Sequence, residues 1–224
     1  MSLQSRLDTF RASFESGYPP FSVPRPIIDL MDRSTKELVA SGAAARALRR
    51  GDVAPPFVLN DGHGAAVSSF DLLMHGPLIV TFYRGIWCPY CNIELQALQS
   101  ALPNFRGRGA SLVSISPQTA PNGRASQENN RLTYPILSDP QNALADKFGV
   151  KFRLPDYLIE AYKTLGNDLP LFNGDPSWTL PMSSRFVIGQ DGVITYAEVN
   201  PDYRMRPEPE VLLPILDAIV LSRT

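Results

Sequence analysis

The chain has 224 residues, of which 44% are hydrophobic, 19% charged and 9% aromatic, and a formal net charge of -1. That length buries a substantial core in one large domain, and near-neutrality removes the basic footprint of a dedicated nucleic-acid binder or a polybasic membrane-surface protein. No apolar run approaches the roughly 18 residues that span a bilayer, and charges and serines from Ser5 to Glu15 interrupt any secretory core, so the chain reads as a soluble cytoplasmic protein with no nucleic-acid or membrane partner.

The first fifty residues read as a helical extension. Leu3, Leu7, Phe10 and Phe14 recur at helical spacing and form one apolar stripe. Gly17, Pro19 and Pro20 then end that helix. A second helix is expected from near Ser34, where Ser34 and Glu37 have capping-box spacing, through Leu38, Val39, Ala43–Ala45 and Leu48 to Gly51. Two roles are open for these helices: covering a core face, or docking a partner or a second copy as a homodimer.

From Gly51 the pattern alternates strand and helix. Phe57–Leu59 and Ala65–Val67 flank a turn at residues 60–64, which predicts a hairpin. Residues 78–83, Leu-Ile-Val-Thr-Phe-Tyr, predict a central strand buried on both faces. A helix from about Pro89 to Leu102 and a strand over 111–116 complete a βαβ unit with a parallel pair. Residues 118–130 read as a loop or weak helix, 135–138 as a short strand and 141–148 as a helix. Residues 186–188 and 193–196 predict an antiparallel hairpin, and a closing helix runs from about Glu208 to Leu221. Between them, residues 151–183 carry four prolines and several aromatics around a helix-like stretch from Tyr157 to Leu165. An insertion of that length in a compact domain is usually functional or a partial lid. The domain expectation is therefore an extension over 1–50 and one α/β domain over 51–224 that carries the 151–183 insertion.

Only two cysteines are present, Cys88 and Cys91. They are too few to staple a fold, so their value is local. The order strand, Arg84-Gly85-Ile86-Trp87-Cys88-Pro89-Tyr90-Cys91, helix puts Cys88 at a helix N-terminus, where unpaired N–H groups favour a thiolate. Cys91 lies one turn on, within reach of a disulfide. Haem attachment needs a His after the second Cys, whereas residue 92 is Asn. Zinc needs two more ligands, and the histidines His63 and His75 lie upstream at the wrong spacing. The motif reads as a redox dithiol with no metal and no cofactor beyond a Cys88–Cys91 disulfide.

Three segments, GDVAPPFVLNDGHG, PLIVTFYRGIWCPYCNIELQAL and RFVIGQDGVI, together resemble the alkyl hydroperoxide reductase/thiol-specific antioxidant, peroxiredoxin-like branch of the thioredoxin fold. The resemblance implies a central mixed sheet flanked by helices, preceded here by the helical extension. It also implies thiol-dependent reduction of hydroperoxides with an external thioredoxin- or glutaredoxin-like thiol reductant. The family pattern F-Y-P-x-x-x-T-x-x-C, laid without gaps on residues 82–91, places the attacking position at Cys91, with Cys88 in place of Thr and Arg84 in place of Pro. The arginine expected before the late strand falls on Ser183, and Arg185, two residues later on the same strand face, is its substitute. Thioredoxin-like proteins instead resemble W-C-x-x-C with the first Cys as nucleophile, which makes it Cys88, but they place a proline where Ser183 stands.

Two enzymatic readings follow. A thiolate attacks a hydroperoxide, becomes a sulfenic acid and condenses with the other thiol, or Cys88 attacks a disulfide substrate and Cys91 resolves it. Arg84 or Arg185 then stabilises the thiolate, Trp87 shields the dithiol and Tyr90 contacts substrate, while Glu94 reads as helix-surface decoration or a proton acceptor. A non-enzymatic redox sensor is the third reading.

Overall fold

In the computed structural model the structure describes residues 1–17, 19 and 21–221. Of the predicted helix-stop residues, Pro20 lies outside them. Helix α1 spans Leu3–Ser16, starts on Ser2, whose side chain accepts from the Ser5 N–H, and ends at Gly17 in the left-handed region. Helix α2 spans Arg25–Ala40, which corrects the expected start at Ser34. Pro24 and Pro26 suit a first helical turn, where a missing N–H costs nothing, so the helix begins there and Ser34 sits buried in its middle. It also stops early, because Gly42 adopts φ 68 and only a short 3-10 turn follows over Ala43–Arg46.

The predicted hairpin forms as β1 (Val58–Asp61) and β2 (Ala66–Ser68), and a helix absent from the sequence reading follows, α3 (Ser69–His75), capped by Ser68. Strand β3 (Leu78–Phe82), helix α4 (Pro89–Arg106) and strand β4 (Ser111–Ser116) make the expected parallel unit. Residues expected as a loop or weak helix form α5 (Ala120–Asn129), then β5 (Ile136–Ser138) and α6 (Ala143–Lys147). The insertion builds β6 (Lys151–Arg153), α7 (Asp156–Thr164), α8 (Leu169–Asn173) and β7 (Thr179–Pro181), with β6 and β7 paired as a separate ribbon. Strands β8 (Ser183–Ile188) and β9 (Ile194–Asn200) form the late hairpin, and α9 (Leu213–Leu221) closes the chain after a 3-10 turn.

The main sheet has the order β2-β1-β5-β4-β3-β8-β9. It is mixed, with β3, β4 and β5 parallel and β8 antiparallel to β3. Strand β3 is buried throughout, and its alternation divides the core. Ile79 and Tyr83 pack with α1, α4 and α9, whereas Leu78, Val80 and Phe82 face Phe148 and Phe186 on the other side. The insertion has its own apolar cluster, Leu158, Tyr162, Leu169 and Trp178 among others, closed by Ile27, Leu30 and Met31 of α2.

The helical extension is thus built into the domain. Helix α1 lies on α4 through Leu3 and Leu7, and the Glu208 carboxylate accepts from the N–H groups of Leu3 and Gln4 at 2.9 and 3.3 Å. That charge also complements the helix dipole. Leu7 is fully buried, so Leu7→Ala is expected to cost about 2–5 kcal/mol through lost transfer energy and the cavity left behind. Denaturant unfolding checks this, and an unchanged midpoint would mean that α1 is not part of the cooperative unit.

Candidate active site

The site is assembled where β3 runs into α4. Residues 84–87 form a short loop held from two sides. Gln118 Oε1 accepts from the Ile86 N–H at 2.6 Å, while its Nε2 donates to Tyr83 Oη at 3.0 Å. From the helix, Asn92 Nδ2 donates to the Ile86 carbonyl at 2.7 Å. Gly85 takes φ 147, and a Cβ there would lie 2.5 Å from the Trp87 indole nitrogen, so this turn requires glycine. The loop delivers Cys88 as the N-cap residue of α4, with Pro89 in the first turn.

Both cysteines are free thiols and buried. They nevertheless stand in different surroundings. Burial pushes the Cys88 thiol up, but the hydrogen bond from Cys91 and the charges of Arg84 and Arg206 outweigh it and bring Cys88 down to about 6. Burial, together with the hydrogen bond to Cys88 and its negative charge, holds Cys91 well above the ordinary thiol range. One proton is therefore shared unequally: Cys88 is the thiolate and Cys91 the thiol that donates to it. Cys88 also lines a cavity of ≈ 240 Å³, which Cys91 does not reach.

That cavity is aromatic. Phe10 and Phe14 of α1 roof it, Trp87 and Tyr90 come from the motif, Tyr162 from the insertion, and Tyr203 from the segment after β9. Tyr90 stands edge-on to Phe10 and Tyr203, and Trp87 edge-on to Tyr162. The insertion supplies Tyr162, Leu165 and Asn167 to the wall of the cavity at Cys88. Arg84 enters the same space, donating to Tyr162 Oη at 2.5 Å and stacking on Tyr203 and Trp87 at 4.1 and 4.8 Å from the ring centres.

Arg185 takes a different position from Arg84. Its guanidinium and that of Arg206 clasp Glu94, at 3.0 and 2.6 Å, and all three side chains are buried. Glu94 is therefore a buried anchor of two cations, which overturns its reading as a residue on the helix surface. The charge of Arg206 still acts on both cysteines. Ser183 is buried with an unpartnered hydroxyl and lines a small neighbouring void, which shares Arg84, Tyr162 and Tyr203 with the Cys88 cavity, but Ser183 does not line that cavity itself.

Sequence reasoning missed Phe10, Tyr203, Arg206 and Gln118 as site residues, whereas Tyr162 is one of the insertion aromatics expected either to line a pocket or to pack on the core. Arg206 and Tyr203 lie in residues 201–207, which have no periodicity. They are fixed by Arg204, which pairs with Asp32 of α2 and with Asp202. Only Glu94, three residues after Cys91, carried a local signal.

Three comparisons bear on this arrangement. The sequence pattern of the AhpC/TSA family matches residues 50–197, more than half of the chain. The chain is 22% identical to a chloroplastic peroxiredoxin Q of Triticum aestivum over 201 residues, covering 90% of this chain and 81% of that protein. It is 32% identical to a putative peroxiredoxin of Mycobacterium tuberculosis over 117 residues, 52% of this chain and 76% of that one. Among solved structures it is similar to the peroxidoxin BcpB of Mycobacterium tuberculosis, with a TM-score of 0.61, 26% identity, and coverage of 77% of this chain and 98% of that chain. The fold is also that of peroxiredoxin 6 of Arenicola marina, with a TM-score of 0.63 at 20% identity over 79% of this chain and 76% of that chain.

Proposed function

The chain belongs to the AhpC/TSA family and is a thiol-dependent peroxidase, in which, we propose, Cys88 attacks the hydroperoxide and Cys91 resolves it. The observation that carries this assignment is the unequal pair: a thiolate at Cys88 facing a cavity, with the donor thiol behind it. The gapless family register favours Cys91 as the attacking position. Burial without access to the cavity and a raised thiol pKa disfavour it, since the thiolate is the nucleophile.

The chemistry follows from these places. The Cys88 thiolate attacks the terminal oxygen of the hydroperoxide, the O–O bond breaks, and the alkoxide leaves and takes a proton from solvent. Arg84 stabilises the thiolate and the oxygen that gains charge. Cys88 is then a sulfenic acid. The Cys91 sulfur attacks it, the S–S bond forms, and hydroxide leaves with the Cys91 proton as water. Cys91 lies one turn along α4 from Cys88, the N-cap residue, so the resolving thiol comes from the same helix start. Two external thiol groups then return the two electrons and leave as a disulfide, in a reducing compartment such as the cytoplasm.

The test is the rate of the first oxidation against pH, by rapid mixing with hydrogen peroxide and with an alkyl hydroperoxide. A thiol at about 6 predicts a rate that rises about tenfold per pH unit below 6 and levels off above 7. The product is expected to be lighter by two hydrogens. Wild-type protein inert to both oxidants yet active on a small disulfide would overturn the peroxidase reading.

A further inference from the structure

Among the described residues the cavity over Cys88 is lined by one charged side chain, Arg84, and that guanidinium has no carboxylate partner among them. It is 4% exposed, and its Nε makes no hydrogen bond. Its neighbours are the Tyr162 hydroxyl and the faces of Trp87 and Tyr203. The other buried arginines have carboxylate partners: Arg185 and Arg206 share Glu94, and Arg204 pairs with Asp32 and Asp202. Among the described residues Arg84 is the buried arginine without such a pair. A lone buried cation is costly, and in the dithiol form its negative partner is the Cys88 sulfur.

Oxidation removes that partner. In a Cys88–Cys91 disulfide neither sulfur carries charge, yet Arg84 still faces a cavity of ≈ 240 Å³, roughly the liquid volume of eight waters. The rim residues Phe14, Phe21, Leu165 and Asn167 are partly exposed, so a small molecule has a way in. A thiol carried on a folded protein does not, because Cys88 and Cys91 are 2% and 0% exposed beneath α1 and the insertion.

We propose that oxidation of the dithiol turns this cavity into an anion site, and that its occupant is the reductant, a low-molecular-weight thiol bearing a carboxylate. The inference rests on the dithiol cycle proposed above. The carboxylate binds Arg84 while the thiolate of the same molecule attacks Cys88 Sγ. The Cys88–Cys91 bond breaks, and Cys91 leaves with the electron pair and takes a proton. A second thiolate attacks the bound molecule's sulfur and releases a small-molecule disulfide, with Cys88 again the thiolate beside Arg84. Two thiols have supplied two electrons, and the site has lost its need for an outside anion, which favours departure of the product.

The experiment starts from enzyme oxidised with diamide rather than peroxide, with the disulfide verified by mass. Its reduction is timed with 3-mercaptopropionate, with neutral 2-mercaptoethanol and with a thioredoxin-type protein dithiol, the small thiols compared per thiolate. The anionic thiol is expected to be faster by about tenfold or more, the scale of one charge-assisted contact. In the wild type, 3-phenylpropionate should slow reduction by 2-mercaptoethanol competitively, and its uncharged amide should not. Arg84→Met should bring the two small thiols to equal rates, while Arg84→Lys keeps their order. Equal rates in the wild type without competition, or faster reduction by the protein dithiol than by either thiol, would overturn the proposal. A disulfide that diamide forms but hydroperoxide never does sinks the peroxidase reading and leaves this measurement intact.

Discussion

Cys88→Ser is expected to lower hydroperoxide reduction by about 10³-fold or more, the scale of removing a nucleophile for which no neighbouring group substitutes. Cys91→Ser is expected to behave differently. A serine hydroxyl still donates to the Cys88 sulfur, so the first oxidation persists within about tenfold of wild type. The intramolecular disulfide no longer forms, because no second thiol of the chain condenses with the sulfenic acid, which before any external thiol is added should be trappable on Cys88 with a carbon nucleophile. The physical asymmetry is the basis for this split: Cys88 lines the cavity and is lowered to about 6, whereas Cys91 is fully buried and raised. The opposite pattern, with sulfenic acid trapped on Cys91 in Cys88→Ser and normal peroxide consumption there, would restore the assignment that the family register implies. Higher peroxide adds a second discrimination. Wild type should resist over-oxidation to the sulfinic acid, because the resolving thiol is already in contact, while Cys91→Ser should accumulate it.

What could be read from the sequence was whatever local pattern encodes. The continuous apolar run at Leu78–Phe82 announced a strand buried on both faces, and it is one. The Cys88–Cys91 spacing at a strand-to-helix junction announced a dithiol at a helix start, and Cys88 is the N-cap of α4. The errors also have local causes. A capping-box spacing at Ser34 competed with prolines at 24 and 26, and the prolines set the true start of α2. Helix α3 is only seven residues long, too short to display a helical period. The cavity was the least legible part, because its walls come from distant segments: α1 and the stretch into α2, the motif, α7 with the residues just after it, and residues 201–207. Each wall residue is an ordinary aromatic in its own neighbourhood, and only the tertiary fold makes Phe10, Tyr162 and Tyr203 into one surface. Glu94 illustrates the same limit. On the sequence it is one more acidic residue on a helix, and its partners lie 91 and 112 residues away.

Glu94→Gln is expected to destabilise the fold by about 3–5 kcal/mol, the range for removing one partner from a buried ionic group. Arg185 and Arg206 are 1% and 6% exposed, and no other ion pair holds either of them among the described residues. Glutamine keeps an acceptor for one guanidinium but carries no charge, so two buried cations would face each other with one neutral group between them. Against a typical total stability of about 5–15 kcal/mol, a loss of this size should shift the denaturant midpoint strongly at unchanged slope. Glu198 sets the lower bound. It stands opposite Arg185 in the β8–β9 register, and burial pushes its carboxyl up against the pull of that arginine, so it offers only partial compensation. A double-mutant cycle separates these contributions. Arg206→Met in the wild-type background leaves Glu94 paired with Arg185 alone, and the same change in Glu94→Gln removes one of the two orphaned cations. The second substitution should therefore cost less than the first, or recover part of the lost stability. Additive losses would mean that Glu94 and Arg206 do not act as one unit, and a change under about 1 kcal/mol for Glu94→Gln would mean that water already reaches the pair.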